Sequence, residues 1–280
     1  ERKPIIYEIT PMYSLKLNEI VGSVKFNYLI YKDKSSFYLT NIGFYGSNYH
    51  YDENLRYQTF IPSITFAKRP SDFRLNKREF FSINLVQVNQ EYGTNINITP
   101  NYSIGNLRYL YSNKEAIRVF STGGRLEFSD LLGKLSINLD FRHLFHNGRT
   151  FSFRFYGGKF LWNNTQNTTY FDFSLNRSSD YLFNYNYLGR SDDTGIYSQQ
   201  FIMSEGGFKS KFANPNANDY ILATNLGYSL WKWIEVYTDL FMTYVYNDSK
   251  GIVQLAGDLT GTAALPTIAA NAVTSAKILD

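Results

Sequence analysis

His143 and His146 stand three residues apart, a spacing that lets two imidazoles share a metal where the backbone is helical. On a strand the same spacing sends them to opposite faces, and they flank Phe145 just before Asn147-Gly148. They therefore read as turn or interfacial residues, and no metal site is assigned. His50, within Tyr49-His50-Tyr51-Asp52, reads as a loop histidine. Asp180, Asp192 and Asp193 lack the regular oxygen-ligand spacing of a calcium loop. Gly123-Gly124 and Gly157-Gly158 precede no helix N-terminus, so they read as strand bends rather than phosphate loops. There is no Cys and no Gly-x-Ser-x-Gly, Walker or dinucleotide motif. No catalytic set emerges, no cofactor is expected, and a dispersed Ser, His and carboxylate set is the enzymatic rival. The chemistry that remains is electrostatic: Arg190 and Glu205 are expected to pair inside a polar interior, because buried charges need partners.

The elements that must position these groups announce themselves by period two. Leu135, Ile137, Leu139 and Phe141 alternate with Ser136, Asn138, Asp140 and Arg142. After the Asn147-Gly148 turn, Phe151, Phe153 and Phe155 share a face opposite Ser152, Arg154 and Tyr156, a strong hairpin signal. Phe171, Phe173 and Leu175 repeat the scheme against Asp172, Ser174 and Asn176. Earlier stretches alternate in the same sense: 24–31, 37–44, 54–66, 81–86 and 102–111. Pro62 marks 54–66 as an edge strand or a bulge. Residues 220–233 and 235–246 make a last pair. The count is about twelve strands, with no competing helical pattern.

Composition decides between two kinds of all-β protein. The 280 residues include 24 Tyr, 23 Phe and 3 Trp, too aromatic for a disordered chain. No run of apolar residues exceeds four, which excludes a spanning helix but not a β-barrel strand, where only every second residue must face lipid. Alternation fits either a soluble sandwich with its apolar face inward or a transmembrane barrel with that face outward. Strands of 10 to 13 residues, aromatics near strand ends and 27 Asn favour the membrane barrel. The lipid-facing candidates are then Phe151, Phe153, Phe155, Phe171 and Phe173. A net charge of +4, with the basic residues spread along the chain, gives no dedicated nucleic-acid patch. Beginning at Glu1 without an initiator Met, the sequence reads as a mature product or a fragment.

Residues 177–212 break the alternation. The run 180–190 is bulky on both faces, as a strand buried on two sides would be, and Gly206-Gly207 supplies a bulge, a sharp strand bend or a close backbone approach. The runs DYLFNYNYLGRS (180–191), GIYSQQFIMSEGGFKSKF (195–212) and LWKWIEVYTD (230–239) resemble the C-terminal membrane-associated region of outer-membrane proteins that carry an aminopeptidase-N-like zinc metallopeptidase domain upstream. The resemblance covers roughly 3–240. It implies a Gram-negative outer-membrane β-barrel that anchors a gluzincin-type peptidase. It transfers no catalytic residue, since the HExxH helix belongs to the other domain and is absent here.

From Asn247 the chain runs thirty-four residues without an aromatic. Residues 251–280 resemble the short repeats of tail-fibre and surface-fibre proteins. Two compositions in one chain read as a fusion, a misassembled gene or an artificial join, which puts barrel closure in question. The expected organisation is an antiparallel transmembrane β-barrel over 1–247 and an Ala/Thr-rich fibre-like tail over 248–280. The expected function is a non-catalytic outer-membrane anchor for an exported metallopeptidase. Its partners would be outer-membrane lipid and envelope proteins, not nucleic acid. A pore or peptide port and a soluble β-rich fibre module are the rivals.

Overall fold

The computed structural model describes residues 4–15, 18–52, 55–72, 76–92, 101–165, 171–175, 204–207, 216–231, 234–244, 259–262 and 265–268. Every regular element among them is a strand. Eleven make one antiparallel sheet: β1 (Ile5–Ser14), β2 (Glu19–Tyr31), β3 (Phe37–Asp52), β4 (Leu55–Lys68), β5 (Lys77–Tyr92), β6 (Asn101–Lys114), β7 (Arg118–Phe128), β8 (Leu132–Leu144), β9 (Thr150–Asn163), β12 (Tyr220–Trp231) and β13 (Ile234–Tyr244). Neighbours in space are neighbours in this order, with β1 and β13 at the two open edges. Two dipeptides, β10 (Phe173–Ser174) and β11 (Asn216–Ala217), pair with each other outside the sheet. Residues Glu1–Thr243 form one compact unit. A second unit, Tyr244–Asp280, contains the hairpin of β14 (Leu259–Thr262) and β15 (Leu265–Ile268).

The sequence alternation becomes two rows of opposite chemistry, because residues directly paired across strands share a face. One row runs Ile5, Tyr28, Ile42, Ile64, Ile83, Leu107, Leu126 and Leu135, each paired to the next. The adjacent row on the other face runs Asn27, Gly43, Ser63, Asn84, Asn106, Glu127 and Lys134. The apolar row is the uncovered one: Ile5, Tyr28, Ile42, Ile64, Ile83 and Leu135 are all 40% or more exposed. Glu127 and Lys134, at the end of the polar row, are only 2% and 5% exposed. The polar face is thus the inner face.

Three expectations about the elements change. Pro62 does not sit on an edge strand. It lies in β4 between β3 and β5, opposite Phe44, and the β5 ladder skips Ile61 and Pro62 without losing register. A missing proline N–H removes one rung and need not end the strand. His50 belongs to β3, not to a loop, and its Nε2 lies 2.9 Å from Glu19 Oε2. Phe171 and Phe173 are not on the lipid-facing side of a wall strand; they are 2% and 0% exposed, in a segment laid on the inner face. The alternation at 171–175 reflects a strap packed on both sides.

Candidate functional site

At that strap a connected polar network meets a dry aromatic core. Phe171 packs edge-on against Tyr102 of β6, ring centroids 5.2 Å apart. Phe173 packs against Phe160 and Tyr156 of β9 at 5.1 and 6.2 Å. With Val86, Val88, Ile104, Leu132, Leu175, Ala217, Ile221 and Ala223 these rings form a single buried cluster. Close contact with the sheet requires glycine: a Cβ on Gly158 would collide with the Phe173 ring.

Residues 204–207 complete the strap. The Gly206 N–H donates to Ser174 O at 2.8 Å, and the Ser174 N–H donates to Glu205 Oε2 at 2.8 Å. Ser204 Oγ donates to Leu175 O at 2.5 Å. Gly207 takes φ +73°, and a Cβ on Gly206 would approach Leu175 Cα to 2.6 Å. Gly206 and Gly207 make a bend and a close approach to the 171–175 segment, outside any strand.

Three wall side chains hold the strap. Lys134, placed inward on β8 by its alternation with Leu135, donates from Nζ to Phe171 O at 3.0 Å and lies 3.4 Å from Glu205 Oε1. The same ammonium stands 4.2 Å from the Phe173 ring centroid. Arg154, inward on β9, donates from Nη2 to Glu205 O at 2.8 Å and from Nη1 to Asn225 Oδ1 at 2.9 Å. Its cross-strand partner Asp140 is 3.8 Å away. Asn225 on β12 donates to Gly206 O at 3.2 Å and to Asp239 Oδ1 at 3.0 Å. Asp172 is held at a pKa of about 6 chiefly by burial; Lys134 opposes that rise and Glu205 adds to it.

Of the expected ion pair, Glu205 takes Lys134 as its partner among the described residues, while Arg190 lies outside them, as do Asp180, Asp192 and Asp193. Phe151, Phe153 and Phe155 are half-buried on the outer face; Phe153 pairs across to Phe141 and Leu226. His143 is also outer, ring against ring with Phe145 at 4.7 Å. No group of three His, Cys, Asp or Glu able to hold a metal occurs among the described residues. Sequence reasoning missed Lys134 as an anchor, although it opens the same polar stripe as Ser136, Asn138 and Asp140. The arrangement fixes a segment across a polar face.

Residues 246–280 match a family model described as a repeat of unknown function (DUF5907). No curated protein matches the chain. The family match is confined to the tail that contains β14 and β15, and leaves the large sheet to be read from its own geometry.

Proposed function

We propose that the eleven-stranded sheet is the wall of an outer-membrane β-barrel, non-catalytic, which anchors an exported metallopeptidase at the cell envelope. One observation carries the wall reading: the unbroken apolar row from Ile5 to Leu135 is the exposed face, and the polar row is the covered one. In water such a face would be an aggregation surface far larger than monomers tolerate. Against hydrocarbon it is the favourable side, and the ladder satisfies the backbone polar groups that lipid cannot. The metallopeptidase part of the proposal is supported by the resemblance of 180–191, 195–212 and 230–239.

A pore is the second reading, favoured by the polar inner row. It predicts bilayer conductance that changes when Arg154 or Asp140 is replaced. The strap across that row weighs against free passage of large solutes. Partitioning of the full chain between detergent and aqueous phases tests the wall. Recovery in the detergent phase, resistant to carbonate extraction from vesicles, is expected. A chain that stays in buffer without detergent would overturn the reading in favour of a soluble fibre module.

A further inference from the structure

We propose that the end of the sheet bearing the β2–β3, β4–β5, β6–β7 and β8–β9 connections docks the phosphate-bearing headgroups of an anionic phospholipid leaflet. The inference rests on the wall reading and adds to it a direction and a ligand chemistry.

Successive connections of an antiparallel meander emerge at alternate ends. Those after β2, β4, β6 and β8 therefore share one end. They and their flanks carry Lys32, Lys34, Arg78, Lys114, Arg118 and Arg149, all exposed. The β12–β13 connection shares this end, whose described carboxylates are Asp33, Asp72, Glu79, Glu115 and Glu235; Glu79 is engaged by Lys68 at 3.0 Å, and Glu235 accepts from Tyr237 at 2.8 Å. The opposite end is less basic: its described connections and flanks carry Glu19, Asp130 and Asp219 against exposed Lys159, with Arg56 donating to Asn48 at 3.0 Å. Basic residues scattered through the sequence are gathered by topology into one rim.

A second, independent feature says what the rim meets. Between the apolar row and the basic end, the outer face carries cross-strand ring pairs. These are Phe37–Phe66 at 5.7 Å, Tyr111–Phe120 at 6.1 Å and Phe141–Phe151 at 6.4 Å. The order along the strands is aliphatic, aromatic, cationic. A bilayer leaflet has the matching order of hydrocarbon, interface and phosphate, with rings preferring the interface and cations the headgroup layer. A soluble polyanion would account for the cations and leave the outward rings beside them unexplained.

Each cation near an anionic surface is worth about fivefold in partitioning, screened over about 8 Å at physiological salt. The test uses the full chain and vesicles of phosphatidylcholine alone or with phosphatidylglycerol, reading the lipid concentration for half-maximal carbonate-resistant insertion at low salt. Phosphatidylglycerol is expected to lower it by about tenfold or more, an effect lost at high salt. The triple substitution Lys34→Gln, Arg118→Gln, Arg149→Gln should remove most of this preference while leaving insertion into phosphatidylcholine unchanged. Glu19→Gln, Asp130→Asn, Asp219→Asn should preserve it. Equal insertion of the unaltered chain into both vesicles, or full preference in the triple variant, would overturn the rim. Duplex nucleic acid bound by the rim without any phosphatidylglycerol preference would overturn the lipid assignment alone. Insertion into neither vesicle would overturn the wall reading, and the rim with it.

Discussion

The Lys134 ammonium stands 4.2 Å from the centroid of the Phe173 ring while donating to the carbonyl of Phe171. One wall cation thus grips both the aromatic and the backbone of the strap, and the wall and strap should respond to the same substitutions.

Lys134→Met removes that grip and leaves Glu205 without its wall cation. Breaking a buried pair costs about 3 to 5 kcal/mol, and the partial exposure of Glu205 reduces this to about 2 kcal/mol. The expected outcome is a lower urea midpoint together with new proteolytic cleavage at 171–175 or 204–207, while detergent partitioning is unchanged. A strap as protease-resistant as before would show that Lys134 does not hold it.

Gly158→Ala places a methyl against the Phe173 ring. Overpacking of this kind costs about 1 to 3 kcal/mol. Combined with Phe173→Leu, which opens room at the same point, the loss should be smaller than the sum of the two single effects. Strict additivity in the double-mutant cycle would place the two residues out of contact.

Phe153→Arg and Ser152→Arg report the two faces of β9 separately. An arginine on a lipid-facing position costs about 2 to 4 kcal/mol at the midplane of a barrel and less towards the interface, so Phe153→Arg, level with Phe141, should measurably impair assembly into vesicles. Ser152 faces inward, hydrogen-bonded to Gly227 O at 3.4 Å, and the Glu235 carboxylate lies beside Gly227. Ser152→Arg should assemble nearly as well as the unaltered chain. Equal impairment would mean a strand buried on both sides.

The Asp172 carboxyl sets a pH response. Its folded pKa of about 6 lies above the ordinary 3.8, so folding favours the protonated form. The stabilisation is fully present below about pH 4 and is lost as pH rises through about 6. Urea midpoints measured from pH 4 to pH 7 should therefore fall, and Asp172→Asn should flatten that part of the profile. An unchanged profile in the variant would assign the response to another group.

Much of the sheet was legible because period two is a local signal. Leu135 to Arg142 alternates without a fault, and β8 places those residues on opposite faces as the pattern requires. Two strands escaped the reading for local reasons. β1 carries bulky apolar residues on both faces, Ile5 and Ile6 among them, and includes Pro11; β7 was legible only as the strand bend at Gly123-Gly124, which breaks its alternation. The strap was misread because Phe171, Phe173 and Leu175 alternate just as a wall strand does; only the tertiary contacts with Tyr102 and Phe160 assign them inward. The basic rim was invisible for a different reason. Lys34, Arg118 and Arg149 are far apart in sequence, and only the alternation of connections between the two ends brings them to one side.

Eleven ribbons, each reversed against the last, leave the outermost two, β1 and β13, heading the same way. Stitching them directly to one another would give a ring with a single parallel seam. Two copies related by a rotation about the ring axis would meet in parallel as well. A cylinder whose every seam is antiparallel needs an odd number of further ribbons inserted between them.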